Sequence, residues 1–247
     1  MLAEQRFEII LQELEEHRAA RVPRLCELTG ALEATIRRDL NALARRGKLS
    51  KVHGGAVACG GEFLREEPDV GTKDRMHQPE KERIARYAAE LISDEDVVYL
   101  DAGTTTVRMV EHQKHSKATF VTNGVACALR LPELGFQGYV LGGALKPGTG
   151  AVVGAQALTD LEGYNFTKAF LGINGITLRQ GFTTPDPEAA VKRKASQRAY
   201  LTYSLADSSK FETVSAASVL PLEKASIITD HLPDRAYLEH TIVKEVL

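Results

Sequence analysis

The residue types that could bind an anion are concentrated in the segment YLDAGTTTVRMV. Asp101 ends an apolar run, and Gly103 is followed by Thr104, Thr105 and Thr106 at the start of a helical pattern. Backbone N–H groups and hydroxyls at a helix N-terminus can surround a phosphate, and the helix dipole favours its negative charge. A threonine in this place can equally serve as a simple N-cap, so the segment alone leaves both interpretations open.

Three charged residues further along could neutralise a phosphate or hydrogen-bond a sugar. Glu188 and Lys192 are one helical turn apart, and Lys210 lies in the loop Asp207–Phe211 after a strand pattern. The lysines can offset a dianion, while Glu188 can accept hydroxyl protons or pair with Lys192. A surface ion pair between Glu188 and Lys192 is the competing interpretation.

Residue types that carry catalysis or hold metals form no recognisable set. Ser208 and Ser209 have no evident His and Asp partners, which argues against a nucleophile. His77, His112 and His115 do not have the spacing of metal ligands and are most simply surface residues. We therefore expect no catalytic residue, no metal and no cofactor.

A basic patch between Thr35 and His53 points to another chemistry, the binding of nucleic-acid phosphates. Six lysines and arginines in this stretch accompany a single acid, Asp39. Such side chains contact phosphates and base edges in DNA-binding proteins, although a short charge run is also typical of a solvated helix face. Asp39 would be repelled by DNA, so we expect it to pair with an arginine of the same chain.

Helical and hairpin patterns position this patch. Apolar residues recur at helical spacing in residues 4–17, 23–28 and 33–46, and a glycine follows the last of these helices. Residues 49–55 alternate and end in two glycines, which predicts a short β-hairpin. Three helices and a hairpin predict a winged helix-turn-helix domain over residues 1–58.

The rest of the chain predicts a second domain. Residues 59–78 are polar and Gly-containing with weak periodicity, so we assign them as a linker. Residues 79–247 alternate strand and helix patterns, with helices beginning at Ala151 and spanning 187–203, and this alternation predicts a parallel-sheet α/β domain. Ligands of such sheets lie beyond the carboxyl ends of the strands. The residues expected to cluster there are Asp101, Asn123, Gly142, Asn174 and Asp207.

The composition of the 247 residues bounds the class of protein. Hydrophobic residues make up 43% and charged residues 26%, a balance typical of folded domains, and the length favours a small domain plus a larger one. Cys26, Cys59 and Cys127 are odd in number and form no C-x-x-C pair, which argues against disulfides and a zinc site. Without a signal-peptide pattern or an apolar run of roughly 20 residues, we expect a cytoplasmic protein with no membrane contact.

The stretch TIRRDLNALARRGKLSKVHGGA closely resembles the N-terminal signature of the DeoR family of bacterial transcription regulators. The resemblance implies that the helix beginning near Glu33 binds double-stranded operator DNA, with the hairpin as a wing. One departure is Leu32, where the family usually has a serine that caps this helix, and losing such a cap costs about 1 kcal/mol.

The resemblance and the basic patch together identify the residues expected to contact DNA. Arg37 and Arg38 point about 100° apart on a helix, so one should contact bases and the other a phosphate, and the sequence leaves open which. A plain turn at the hairpin tip is the alternative to a DNA contact there. The expected residues are Thr35, Arg37, Arg38, Asn41, Lys51, His53 and Gly54.

The segments VTNG, VLGG, FLGINGI, GFTTPDPEAAVKRKA and LADSSKF follow in the order and spacing of the DeoR-family sensor domain. This resemblance implies a fold similar to ribose-5-phosphate isomerase and a sugar phosphate that releases a repressor from its operator. It implies that Asp101 and Asn123 bind hydroxyls, that two glycines admit the ligand and that Asn174 lines the ring. The residues expected to bind the effector are Asp101, Gly103, Thr104, Thr105, Thr106, Asn123, Gly142, Gly143, Asn174, Gly175, Glu188, Lys192 and Lys210.

Within the family, DAGTTT, LGINGI and GFTTPDPE most resemble the repressors of fructose operons in Gram-positive bacteria, which implies fructose 1-phosphate as the effector. Another sugar phosphate, such as tagatose or glycerol phosphate, is the alternative.

A sugar-phosphate isomerase is the competing class, because Glu188 could act as a base. The isomerase motif D-G-A-D-E carries an acidic pair where this chain has Asn174-Gly175-Ile176, so we expect binding without turnover. We also expect a homodimer or homotetramer, because a two-fold dimer presents paired recognition helices to DNA.

Overall fold

The computed structural model describes residues 1–46, 48–58, 62–64, 67–113 and 117–247. Their contacts divide the chain into two compact units, residues 1–60 and residues 61–247. The predictions made for the glycine that follows the third helix, for Cys59 and for His115 lie outside the described residues.

The smaller unit contains the three predicted helices and the predicted hairpin. Its elements are α1 (Ala3–His17), β1 (Ala19–Arg21), α2 (Val22–Thr29), α3 (Glu33–Arg45), β2 (Leu49–Val52) and β3 (Gly55–Ala58). The strands form an antiparallel sheet in the order β1-β3-β2. Apolar residues from every helix meet in one core, which includes Ile10, Leu14, Leu25, Ile36, Leu40 and Leu43. The apolar stripes of the sequence thus face one another, and the winged helix-turn-helix prediction is confirmed.

The strand β1 was not expected, and a glycine of the wing makes room for it. Ala20 pairs with Ala56 across the β1-β3 ladder, and Arg21 pairs with Gly55. A Cβ atom on Gly55 would lie 2.2 Å from the backbone oxygen of Ala20. Only a glycine therefore permits this close approach of the two strands.

The larger unit alternates strands and helices along the chain. Its first elements are β4 (Glu62–Phe63), α4 (Val70–Arg75), α5 (Gln78–Glu90), β5 (Val97–Leu100), α6 (Thr104–Glu111), β6 (Thr119–Thr122), α7 (Val125–Glu133), β7 (Gly138–Val140), β8 (Ala144–Lys146), β9 (Ala151–Val153) and α8 (Ala155–Glu162). They are followed by β10 (Phe166–Gly172), β11 (Gly175–Thr177), β12 (Gly181–Thr184), α9 (Glu188–Gln197), β13 (Ala199–Leu205), β14 (Thr213–Val214), β15 (Ala217–Leu220), β16 (Ser226–Thr229) and β17 (Val243–Glu245).

Seven strands form one sheet in the order β17-β16-β13-β10-β5-β6-β7. Each neighbouring pair is parallel, so the prediction of a parallel-sheet α/β domain is confirmed. Successive strand residues point to opposite faces. Leu100 packs with α5, α6 and α7 on one face, whereas Tyr99 packs with α8 and α9 on the other. Burial on both faces explains why these strands have continuous apolar runs rather than alternating ones.

Two predicted helices of the larger unit are wrong in their bounds. Residues 151–153 are β9, and α8 begins only at Ala155, because the adjacent valines Val152 and Val153 favour an extended strand. The helix predicted over 187–203 ends at Gln197, and β13 follows at once. The aromatic and β-branched residues after Arg198 favour that strand over a continued helix.

The stretch 59–78, assigned as a linker, contains elements that belong to the larger unit. The strand β4 pairs with β14, and the helix α4 is capped by Asp69, whose side chain accepts a hydrogen bond from the Thr72 amide at 2.9 Å. Polar composition concealed these elements, because they are short, α4 has no fully buried residue and Phe63 of β4 is 56% exposed. Among the helices of the described ranges, none is long and apolar enough to cross a membrane.

Candidate functional site

The third helix of the smaller unit presents a polar face to solvent. Ile36 and Leu40 are buried in the core, whereas Arg37, Arg38 and Asn41 are exposed. This division follows from the helical period, which returns to the same face every three to four residues. The helix therefore anchors itself through one side and offers long hydrogen-bond donors on the other.

The exposed side chains of this helix differ in their partners. Arg37 donates to Glu33 at 3.1 Å, and Lys51 of the wing donates to Asn41 at 2.6 Å. Arg38 makes no ion pair or side-chain hydrogen bond with the residues that the structure describes, and it lines a shallow groove with Arg45. Its guanidinium is thus available without breaking a contact.

Asp39 has the intramolecular role that the sequence predicted. Its carboxylate accepts two hydrogen bonds from Arg6, of 2.7 and 3.1 Å. The pair joins α1 to α3 and is almost buried. A bidentate arginine–carboxylate contact fixes the angle between two helices as well as neutralising the acid.

The start of the recognition helix lacks a side-chain cap, as the sequence indicated. Leu32 occupies the N-cap position with no side-chain hydrogen bond, and its side chain is 80% exposed.

At the wing tip His53 is exposed, and Gly54 has φ +79°, a left-handed conformation that favours glycine. The Gly54 carbonyl accepts from the Val22 amide at 2.9 Å, so the tip is attached to the start of α2.

In the larger unit, a cavity of about 230 Å³ lies beyond the carboxyl ends of β5, β10 and β13. It is the place where open parallel sheets bind their ligands. Eight of the residues predicted to bind the effector line it, namely Asp101, Gly103, Thr104, Thr105, Asn174, Glu188, Lys192 and Lys210. The structure thus brings these eight residues together around one cavity, and their role in binding the effector stays a prediction.

A buried ion-pair cluster forms the floor of this cavity. Lys192 donates to Asp101 and lies 3.3 Å from Glu188, and all three side chains are at most 3% exposed. The possible surface pair of Glu188 and Lys192 is thus a buried one. Burial would raise the pKa of Glu188, but Lys192 and Lys146 hold that pKa at about 2. Burial would lower the pKa of Lys192, but the carboxylates of Asp101 and Glu188 raise it.

The cluster continues through residues far apart in the sequence. Lys146 donates to Glu188 at 2.8 Å and also to Glu67, which in turn accepts from Lys73. Asn174 donates to Glu67 at 3.2 Å. Positive and negative groups alternate from Asp101 to Lys73, so each buried charge has an opposite neighbour.

The opposite wall of the cavity has excess positive charge. Asp207 lies 3.4 Å from Lys210, and His77, at the N-cap of α5, has a left-handed backbone of φ +52°. Lys81 is only 5% exposed and donates to the Lys73 carbonyl. Among the described residues, no carboxylate lies within 4.0 Å of the Lys81 ammonium. Burial lowers the pKa of Lys81, and the nearby negative charge of Asp207 opposes that shift.

The threonines at the start of α6 divide between two roles. Thr106 is fully buried, accepts from the Gly103 amide at 3.0 Å and donates to the Asp101 carbonyl at 2.6 Å. Thr106 therefore stabilises the helix start from the third helical position, while Gly103 occupies the N-cap. Thr104 and Thr105 line the cavity beside the helix N-terminus. Thr106 has the structural role, and phosphate binding by Thr104 and Thr105 stays a prediction.

Five residues predicted to contact the effector do not line the cavity, and Thr106 is the first of them. The Asn123 amide is buried in the core, where it accepts from Tyr99 at 2.9 Å and donates to Val152 at 3.1 Å. Gly142 and Gly143 follow the short strand β7, are exposed and do not line this cavity. Gly175 lies inside β11, where a Cβ atom would be 2.2 Å from the Thr213 oxygen.

Sequence reasoning missed several charged residues at the cavity. Glu67, Lys73 and His77 fall in the stretch assigned as a linker, and Lys81 and Lys146 were left unassigned. The Asp69 cap is a local signal for α4. Nothing local predicts the pairing of Glu67 with a lysine 79 positions later.

The described residues offer no evident catalytic or metal-binding set. Burial raises the pKa of the Cys127 thiol to about 12, so it is not a thiolate near neutral pH. No group of three or more His, Cys, Asp or Glu side chains in the described ranges could hold a metal ion. The cavity contains charges suited to binding rather than a poised nucleophile.

The two units together define a class of protein. A winged helix-turn-helix with an exposed basic face is typical of DNA-binding proteins, and an α/β unit with a charged cavity at its strand ends can bind a small polar ligand.

Comparison with known proteins assigns the family. Residues 6–61 match the DeoR-like helix-turn-helix domain, and residues 76–231 match the DeoR C-terminal sensor domain. The chain belongs to the DeoR family of transcription regulators.

Sequence relatives agree with this assignment. The chain is 42% identical to the "Uncharacterized HTH-type transcriptional regulator FruR" of Bacillus subtilis, covering 100% of this chain and 99% of that protein. It is 32% identical to the "Putative aga operon transcriptional repressor" of Escherichia coli O157:H7, covering 91% and 84% of the two chains. It is similar to ribose 5-phosphate isomerase A of Methanocaldococcus jannaschii at 15% identity and a TM-score of 0.38, over 53% of each chain. The chain is a DNA-binding regulator and not an enzyme.

Proposed function

We propose that this regulator represses a sugar-utilisation operon and leaves its operator when a sugar phosphate occupies the cavity of the larger unit. The observation that carries the proposal is the charge of that cavity. Four lysines line it, Lys73, Lys81, Lys192 and Lys210, against three carboxylates, those of Asp101, Glu188 and Asp207. The lining therefore has one net positive charge, which favours an anionic ligand.

The phosphate end of the ligand belongs beside Lys81. An ammonium buried without a carboxylate partner is expensive, and a phosphate would supply the missing charge. Lys210 and the N-terminus of α6, with Thr104 and Thr105, line the same cavity and can add hydrogen bonds. Lys192 is already neutralised by Asp101 and Glu188, so its role is to hold these two acids in position.

The sugar end of the ligand belongs beside Asp101. One carboxylate oxygen of Asp101, Oδ1, is buried and has no hydrogen-bond partner among the described residues, while Oδ2 accepts from the Gly172 amide at 2.9 Å. A buried acceptor without a donor costs about 1–3 kcal/mol. A sugar hydroxyl would satisfy it, and Asn174 is the neighbouring polar group.

Fructose 1-phosphate is the effector that we propose within this class. Its support is the resemblance of DAGTTT, LGINGI and GFTTPDPE to fructose-operon repressors and the similarity to the Bacillus relative named FruR. Tagatose and glycerol phosphates are the alternatives. Each carries a phosphate, so a preference among them would depend on the rest of the molecule, including the hydroxyls offered to Asp101 and Asn174.

The operator contacts that we propose lie on α3 and on the wing. Arg38 has no competing contact in the described part of the chain, so we assign it to the bases, and Arg37, held by Glu33, to a phosphate. Thr35, Asn41, Lys51, His53 and Gly54 complete the proposed surface. The protein would act in the cytoplasm as a homodimer or homotetramer, since palindromic operators match two-fold symmetry.

The experiment is a thermal-shift and gel-shift titration with a promoter fragment of the operon that the protein controls. Fructose 1-phosphate should raise Tm more than fructose or inorganic phosphate does and should release the fragment, since a ligand of the native state stabilises it. Thr104→Ala and Lys210→Ala should reduce both effects. The proposal is wrong if every phosphorylated sugar leaves both Tm and DNA binding unchanged.

A further inference from the structure

The carboxylate of Glu67 occupies an anion position at the wall of the cavity in the larger unit. It accepts hydrogen bonds from Lys73, Lys146 and Asn174, and only 9% of its side chain is exposed. Burial would raise the pKa of this carboxyl, but Lys73 and Lys146 hold that pKa below its ordinary value, so Glu67 is ionised near neutral pH. Two ammonium groups and an amide around one carboxylate are donors that would equally bind a phosphate.

Two of these three donors belong to the cavity itself. Lys73 and Asn174 both line it, and Lys81 donates to the backbone carbonyl of Lys73. Lys73 therefore lies between the ammonium of Lys81, where we place the phosphate of the effector, and the carboxylate of Glu67. The two anion positions are no further apart than one extended lysine residue and its hydrogen bonds, and the two ends of a hexose can bridge a span of this size.

The backbone on both sides of Glu67 is attached to the larger unit. Before it in the chain, the Leu64 amide donates to the Val214 carbonyl at 2.9 Å. After it, the Val70 amide donates to the Gly148 carbonyl, also at 2.9 Å. A carboxylate held in this way keeps its place when a ligand enters, and it therefore competes with any second anionic group that the ligand carries.

We propose that Glu67 determines the class of effector, because its carboxylate restricts the cavity to sugars with a single phosphate. The restriction rests on the sensing function proposed above and names the feature of the ligand that is selected. With Glu67 in place, a second phosphate would meet a fixed, buried carboxylate, and like charges repel more strongly at low dielectric. Without that carboxylate, Lys73, Lys146 and Asn174 could bind the second phosphate.

The test is calorimetric titration of the full chain with fructose 1-phosphate and with fructose 1,6-bisphosphate, which share one sugar and differ by one phosphate. Wild type should bind the monophosphate at least about 10-fold more tightly. Glu67→Gln removes the charge and keeps the size of the side chain. Its affinity for the bisphosphate should rise about 10- to 100-fold, as expected for new hydrogen bonds to a charged group. Its affinity for the monophosphate should not fall.

The matched control is Glu162→Gln, which removes an exposed carboxylate that pairs with Lys194 outside the cavity lining, and it should leave the ratio of the two affinities unchanged. Equal affinity of wild type for the two ligands, or an unchanged ratio in Glu67→Gln, would overturn the role of Glu67 and leave the sensing function intact. Loss of both ligands in Glu67→Gln would mean that Glu67 holds the cavity together rather than selecting its ligand, which also overturns the proposal. A wild type that binds neither ligand would contradict the sensing function and, with it, the selection.

Discussion

The recognition helix and the effector cavity use the same residue types in opposite environments. On α3 the pair of Arg37 and Glu33 is exposed to water, where an ion pair contributes about 0–1 kcal/mol. In the cavity the pairs of Lys192 are buried, where removing one partner leaves an uncompensated charge. An arginine in an exposed pair can leave its carboxylate partner for a DNA phosphate at low cost. A buried pair instead holds the side chains that form the cavity in one arrangement.

The buried pairs should have the largest effect on stability. Lys192→Met leaves Asp101 and Glu188 without their shared counter-charge, so the larger unit should lose about 3–5 kcal/mol of unfolding free energy. Urea denaturation followed by circular dichroism measures this change. The matched control is Lys194→Met on the same helix, which breaks an exposed pair with Glu162 and should cost less than about 1 kcal/mol. Equal losses in the two variants would mean that burial does not distinguish the pairs.

The acidic side of the cavity predicts a dependence of stability on pH. Glu188 has a pKa of about 2 in the folded protein and an ordinary value of 4.5, so its contribution is complete above pH 4.5. As the pH falls from 4.5 to 2, about 3 kcal/mol should be lost. Denaturation at several pH values measures the loss.

Glu188→Gln is the variant that isolates this term. This substitution should remove part of the pH dependence of the unfolding free energy. Asp96 should contribute to the part that remains, because burial would raise the pKa of its carboxyl but the Lys168 contact holds that pKa at about 2. Parallel curves for wild type and Glu188→Gln between pH 6 and 3 would show that the carboxylate of Glu188 is not held by its lysines.

Lys81 distinguishes ligand binding from structural pairing, and its substitution should have an intermediate effect. Lys81→Met removes a buried ammonium that has no carboxylate within 4.0 Å in the described chain, so the ligand-free protein should keep its stability or gain some. Affinity for the sugar phosphate should fall about 10- to 100-fold, the range for a hydrogen bond to a charged group. Calorimetric titration with fructose 1-phosphate measures this affinity.

The control for Lys81 is Lys224→Met, at an exposed lysine outside the cavity lining. It should leave ligand affinity unchanged. An unchanged affinity in Lys81→Met, with wild type still responding to the ligand, would place the phosphate elsewhere in the cavity and leave the sensing function intact.

Sequence reasoning succeeded where the signal is local. The stripe of Ile36 and Leu40, the glycine turn of the wing and the threonine-rich start of α6 each lie within a few residues, and each is where the sequence indicated. The parallel sheet follows from short-range alternation of helices and strands. Continuous apolar runs did not give the exact bounds of helices, as α8 and α9 illustrate.

The cavity network could not be predicted in the same way. Glu67 and Lys146 are 79 positions apart, and Lys192 and Asp101 are 91 apart. Tertiary packing brings such residues together, and a single sequence contains no pattern of that length. Asn123 was misplaced for a related reason, because a polar residue at a strand end can turn into the core when Tyr99 and Val152 satisfy its amide.

The smallest expected effect concerns the missing cap of the exposed helix. Leu32→Ser places a hydroxyl at the N-cap of α3, where it can accept from the amide of Ala34 or Thr35. The smaller unit should gain about 1 kcal/mol, because the lost side chain is 80% exposed and contributes little to the core. The measurement is the midpoint of thermal unfolding.

Leu32→Ala is the control, since it removes the same apolar surface without adding an acceptor. If serine and alanine shift the midpoint equally, the absent cap has no energetic consequence, and the backbone carbonyl of Leu32, which accepts from Thr35 at 2.9 Å and Ile36 at 3.1 Å, already satisfies this helix start.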